Sequence, residues 1–89
     1  MRIVLTIVGK DQVGIIAKIS NLLAEHEVNI LNINQTILEG FFNMILIADM
    51  AASDISLQGL KTVATELGNE IGVDIRVQHE DIFTAMHRI

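Results

Sequence analysis

The hydrophobic pattern changes period along this chain in the order strand, helix, strand, strand, helix, strand, and few folds accommodate that order in 89 residues. Residues 2 to 8 are apolar on both parities and rich in β-branched side chains, which predicts a central strand covered on both faces. Ile15, Ile16, Ile19, Leu22 and Leu23 then recur at helical spacing, opposite Lys18, Ser20, Asn21 and Glu25. This first helix should end near His26-Glu27. Val28 to Glu39 and Phe41 to Met50 read as two strands joined by one turn at Gly40, a hairpin. A second helix follows Ser56, a predicted N-cap, with Leu57, Leu60, Val63, Ala64, Leu67 and Ile71 on one face and Gly72 placed to end it. In the last strand Val73, Ile75 and Val77 alternate with Asp74, Arg76, Gln78 and Glu80, the pattern of an edge strand.

Strand, helix, hairpin, helix, strand is the split βαβ order of an α+β, ferredoxin-like βαββαβ sandwich: a four-stranded antiparallel sheet with both helices on one face. The first and third strands are then central, and the second and fourth are edges. Asn32, Asn34 and Thr36 on one edge and Asp74, Arg76 and Gln78 on the other frame the opposite sheet face, while the central strands stay apolar on both parities. That predicts a hydrophobic stripe in need of cover. Ile82, Phe83, Met86 and Ile89 share a helical face in the last nine residues, so a short C-terminal helical tail is one candidate cover and a second subunit is another.

Composition narrows the function. Only three residues are aromatic although 51% are hydrophobic, so the core must be aliphatic. Eleven acidic against six basic residues give a charge of −5, which opposes phosphate backbones and anionic membranes at long range and argues against a nucleic-acid partner. The absence of cysteine rules out disulfides and thiolate metal sites and is compatible with a cytoplasmic protein. The apolar run from Phe41 to Ala52 is too short to span a bilayer and contains Asp49, so no membrane association is expected. No linker or repeat divides the chain, and residues 1–89 read as a single domain.

The junction from Val8 to Ala17 carries the chemistry. It converts a buried strand into an amphipathic helix through a short polar loop between Gly9 and Gly14. The first N–H groups of a helix have no internal partner and carry partial positive charge, and glycine lets a ligand approach them closely. Such a junction suits a small anion such as a carboxylate, and equally a plain connection capped by Asp11, whose carboxylate could accept the Gly14 N–H. Asp11 could instead pair with a ligand ammonium group.

Other chemistries fit less well. Gly9 and Gly14 have the spacing that opens a phosphate loop, but Ile15-Ile16 stand where Lys and Ser/Thr must hold phosphate and magnesium. An acylphosphatase-like cradle needs an arginine in this loop, which offers only Lys10. His79 and His87, with Glu80 and Asp81 nearby, lack the ligand number and spacing of a metal site. Phe41 and Phe42 lack the basic context of RNA-stacking aromatics and read as packing residues. No pairing of nucleophile and base is recognisable, and no cofactor is expected.

The segments Gly9-Lys10-Asp11-Gln12-Val13-Gly14-Ile15-Ile16-Ala17, Ser20, Leu22-Leu23-Ala24-Glu25, Val28-Asn29-Ile30, Gln35 and Phe42-Asn43-Met44, with the ending Ile82 to Ile89, resemble the ACT domain family over essentially the whole chain. The likeness is to small stand-alone prokaryotic members related to glycine-cleavage regulators. It implies a non-catalytic regulatory module that dimerises through edge strands or helices and binds an amino acid between subunits. By the family pattern Lys10, Asp11, Gln12, Val13, Gly14 and Ile15 form one wall of the site, with backbone N–H groups toward the ligand carboxylate, and Asn29 comes from the neighbouring subunit. Two departures stand out. Glu27 replaces the glycine that many members carry before Val-Asn-Ile, and the loop lacks the histidine and asparagine of some amino-acid-binding members.

The resulting expectation is a cytoplasmic homodimer whose small-molecule ligand, an amino acid, alters assembly or affinity for a regulated protein. The competing expectation is a protein–protein interaction module whose loop stays empty.

Overall fold

The computed structural model describes residues 1–81, and the predicted C-terminal helical tail lies outside them apart from a helical turn begun at Glu80 and Asp81. The elements are β1 (Arg2–Lys10), α1 (Ile15–Glu25), β2 (Asn29–Leu38), β3 (Phe41–Asp49), α2 (Leu57–Ile71) and β4 (Val73–His79). All strand pairs are antiparallel and the sheet order is β2-β3-β1-β4. This is the ferredoxin-like arrangement, with β1 and β3 central as the periodicity predicts.

Register assigns every strand residue a face. Ile3, Leu5 and Ile7 of β1, Phe42, Met44, Leu46 and Ala48 of β3, and Val73, Ile75 and Val77 of β4 are buried together against Ile15, Ile19 and Leu23 of α1 and Leu60, Ala64 and Ile71 of α2. Each large aliphatic side chain buried this way contributes about 1.5–3 kcal/mol relative to exposure. The other sheet face carries Val4, Thr6 and Val8 beside Ile45, Ile47 and Asn43. Burial there is uneven: Val4 is 2% exposed and Val8 47%. The expectation that β1 is covered on both faces therefore holds at its start and fails toward the hairpin end.

Local chemistry sets the element ends. The Ser56 hydroxyl accepts a hydrogen bond from the Gly59 N–H at 3.0 Å and caps α2, and Gly72, in the left-handed conformation at φ 78°, closes it. Glu39 and Gly40 both have positive φ, as a two-residue type I′ hairpin requires. The turn between α1 and β2 also runs left-handed: Glu27, where glycine is the family's habit, has φ 55°.

Candidate functional site

The loop from Lys10 to Gly14 is held at two points. The Asp11 N–H donates to the Gly40 carbonyl at 2.8 Å, fastening the loop to the β2–β3 turn. The Gln12 side-chain Nε2 donates to the Ile71 carbonyl at 2.7 Å, fastening it to the last turn of α2. Val13, between these ties and the helix, is 100% exposed.

Asp11 does not cap α1. The N-cap is Gly14, at φ 89°, and no side chain accepts from the helix end. A cap must immediately precede the first helical residue, and Asp11 lies further out, its backbone committed to Gly40. The first intrahelical bond runs from the Lys18 N–H to the Gly14 carbonyl at 3.0 Å, so the N–H groups of Ile15, Ile16 and Ala17 precede the helical ladder. Glycine at position 14 follows from its positive φ; open space surrounds its missing Cβ. Gly9 serves a different purpose from the one its sequence position suggests. A Cβ there would lie 2.6 Å from Val73 Cγ1, so the gap is filled by the chain's own β4 and is no approach for a ligand.

The helix end opens on a cavity of about 170 Å³ lined by Asp11, Gln12, Gly14 and the start of α1, and closed on the far side by Gln35, Ile37 and Phe42. Of the sequence-derived residues, Asp11, Gln12, Gly14 and Ile15 meet here. Ile15 buries its side chain in the core and offers only its backbone. Lys10 shares a register row with Phe41 on the open sheet face, and Val13 projects into solvent, so neither lines the cavity. Asn29 begins β2 opposite Asp49, whereas Gln35 and Ile37, which line the cavity, lie further along that strand, about 20–26 Å away at the rise of a strand. One chain does not bring Asn29 to the loop.

Gln35, Ile37 and Phe42 belong to the cavity and were not assigned to it from sequence. A signal was present: with a two-residue turn at Glu39-Gly40, Leu38 pairs with Phe41 and Ile37 with Phe42. Counting back in twos then sets Gln35 on the same face. Electrostatically the cavity combines partial positive charge at the helix end, the carboxylate of Asp11 and an apolar wall. Among the described residues no group of three His, Asp or Glu side chains is placed to hold a metal, and no helix is long and apolar enough to cross a membrane.

Comparison with known proteins bears on this arrangement. A UPF0237 protein of Clostridium perfringens is 51% identical over 89 residues, spanning 100% of both chains. The solved structure of an ACT domain protein from Streptococcus pneumoniae superposes with a TM-score of 0.82 at 32% identity, covering 93% of each chain. A formyltetrahydrofolate deformylase from Pseudomonas syringae pv. tomato superposes with a TM-score of 0.80 at 31% identity over 88% of this chain and 27% of that larger one. The family model for the ACT domain matches residues 1–78, from the start of β1 almost to the end of β4, and the chain belongs to the ACT domain family.

Proposed function

We propose that the protein is a non-catalytic, cytoplasmic regulatory module that binds an amino acid as a homodimer. The observation carrying this reading is the cavity at the α1 N-terminus, which brings an uncapped helix end, Asp11 and a wall containing Ile37 and Phe42 around one small space. Those groups complement an amino acid: its carboxylate meets the helix N–H groups, its ammonium meets Asp11, and its side chain meets the wall. Lys10 and Val13 flank this site from outside, and Gln12, which lines it, also holds the loop through Ile71.

The dimer completes it. Soluble proteins protect sheet edges with charges, proline or short strands, yet β2 is an edge of ten residues, Asn29 to Leu38, with neither charge nor proline. Ile33 and Ile37 on it remain 40% and 54% exposed. Antiparallel pairing of two such edges about a two-fold axis between Ile33 and Asn34 sets Asn29 of one copy opposite Leu38 of the other. Leu38 adjoins Lys10 and the loop through Phe41. The amide of Asn29 then reaches the ligand around the strand edge, offering both a donor and an acceptor.

Calorimetric titration of the protein with the amino acids tests the reading. Saturable binding is expected, abolished by Asn29→Ala while the dimer stays intact. If no amino acid binds at millimolar concentration, the protein is an interaction module with an empty loop. The ligand acts on a regulated protein only to the extent that it binds one assembly state better than another.

A further inference from the structure

We infer that the outer edge of β4 is a docking slot for a short extended segment of a partner protein, one that carries two adjacent acidic residues. β4 is the second border of the sheet, paired only with β1, and it stays open in the edge dimer proposed above, which uses β2. Along an antiparallel strand the N–H and C=O groups of successive residues point to alternate sides. A Cβ on Gly68 would lie 2.6 Å from the Val73 carbonyl oxygen and 3.6 Å from the Ile75 nitrogen, so the outward groups are those of Val73, Ile75 and Val77. Over the first part of this row α2 lies so close to the strand that a side chain at position 68 would meet its backbone, and the edge is shut.

Further along, the edge opens. Lys61 and Gly68 are about two helical turns apart, roughly 10 Å, and the chain reverses at Gly72, which sets Lys61 about three residues along β4 from the Gly68 contact, near Val77. A depression of about 290 Å³ lies there. Lys61 and Thr65 border it on the helix side of the sheet, Arg76 and Gln78 on the opposite face, and Ile75 and Val77, whose side chains are buried in the core, form the strand edge between them. Its place is that of a fifth strand. An extended segment laid in it would bond to the Ile75 carbonyl and to the N–H of Val77, the mode in which sheet edges take up peptides.

Charge selects the segment. Lys61 and Arg76 are two of the six basic residues in a chain of net charge −5, and no acid among the described residues lines the slot. The acids around it are engaged or face elsewhere: Asp74 pairs with the Arg76 Nε at 3.1 Å, Glu80 with Arg2 at 3.0 Å, Asp81 lies 3.7 Å from His79, and Glu66 borders a separate depression on α2. Of the five N–H donors of Arg76, the bond to Asp74 takes the one on Nε. An apolar strand would strip water from both cations without return, which keeps indiscriminate partners off this edge. Successive side chains of a strand point to opposite faces, so two adjacent acidic residues send one carboxylate up to Lys61 and the next down to Arg76. A second copy of this chain offers no such strand at its edges: β2 is uncharged and β4 carries Asp74 and Arg76 on one face.

Fluorescence anisotropy on the full chain at low salt tests the inference, with a labelled, end-capped peptide of two adjacent glutamates flanked on each side by two valines. Saturable binding is expected, weaker by about tenfold or more when lysines replace the glutamates, and likewise in Lys61→Glu and Arg76→Glu, each checked for folding by circular dichroism. Hydrogen exchange of the Val77 amide should slow when the peptide binds. No binding at millimolar concentration, or equal affinity in both variants, would overturn the assignment. So would binding that leaves Val77 exchange unchanged, since attraction between charges alone would then account for it. Displacement of the peptide by an equal concentration of inorganic phosphate would make the slot a pocket for small anions instead. Binding gained only on deletion of residues 82–89 would put the chain's own terminus in the slot, and a wild-type mass lowered by Lys61→Glu would put a second copy there; either result also overturns the proposal.

Discussion

Glu27 occupies a backbone conformation that a side chain makes costly. At φ 55° a residue with a Cβ pays roughly 1 kcal/mol over glycine, and the turn keeps this geometry because the Glu27 N–H and Val28 N–H bond back to the carbonyls of Ala24 and Leu23 at 3.1 and 2.9 Å. Replacing Glu27 by Gly should raise the stability measured by chemical denaturation by up to about 1 kcal/mol, since relief of the left-handed strain outweighs the added freedom of the unfolded chain. A loss of stability would show that the Glu27 side chain contributes more than its backbone costs. Asp49 is a second residue with a readable environment. The Ala51 N–H, at 2.9 Å, is the main cause holding its carboxyl below the ordinary carboxylate range; slight desolvation opposes this, and the Met1 ammonium and Arg2 add to the lowering. A carboxyl whose pKa is lowered on folding stabilises the protein above its unfolded pKa, and that contribution disappears as pH falls through the folded value. Thermal melts of Asp49→Asn between pH 6 and about 3 should therefore show a flatter acid limb than wild type. An equally steep limb would rule Asp49 out as a source of acid sensitivity.

At the scale of elements, strands and helices follow closely from the sequence because both are written in hydrophobic period. β4 alternates as drawn, Ser56 caps α2 and Gly72 ends it. The loop was less legible. Its two ties join Asp11 to Gly40 and Gln12 to Ile71, residues distant in the chain, and no local pattern encodes either bond. Gln12 therefore looks like a ligand-facing residue in sequence and is a structural tie in the fold. Asp11 looks like a cap because it precedes a helix, yet the backbone turns away to Gly40 first. The two predicted caps can be compared directly. Ser56→Ala should cost about 1 kcal/mol in denaturant unfolding, whereas Asp11→Ala should leave stability within about 0.5 kcal/mol and act on ligand affinity instead. Equal losses in both variants would restore Asp11 as a cap.

For the whole molecule, the distribution of exposed apolar residues says more than their number. Leu31, Ile33, Ile37 and Leu38 run along the β2 edge on both of its faces, and Phe41, Ile45 and Val13 continue the exposed apolar surface onto the hairpin, β3 and the loop. The β4 edge presents Asp74 and Arg76 instead. A charge introduced on the uncharged edge separates the two: Ile33→Lys should dissociate the edge dimer in sedimentation experiments and weaken amino-acid binding at least tenfold. Loss of assembly with full affinity would mean that one chain suffices for the ligand. The site that the resemblance implies is not brought together by one chain's contacts, because Asn29 and the loop lie toward opposite ends of β2.

The bond from Gln12 to the Ile71 carbonyl gives the sheet a mechanical linkage. Ile71 is the last residue of α2, Gly72 reverses the chain, and β4 starts at once beside Gly9. Any force that levers the loop outward must either drag that turn with it or break a hydrogen bond worth roughly 1 kcal/mol. The loop works as a short crank between the two borders of the sheet. A disturbance beside β2 thus has a bonded route to β4, on the far side of the molecule.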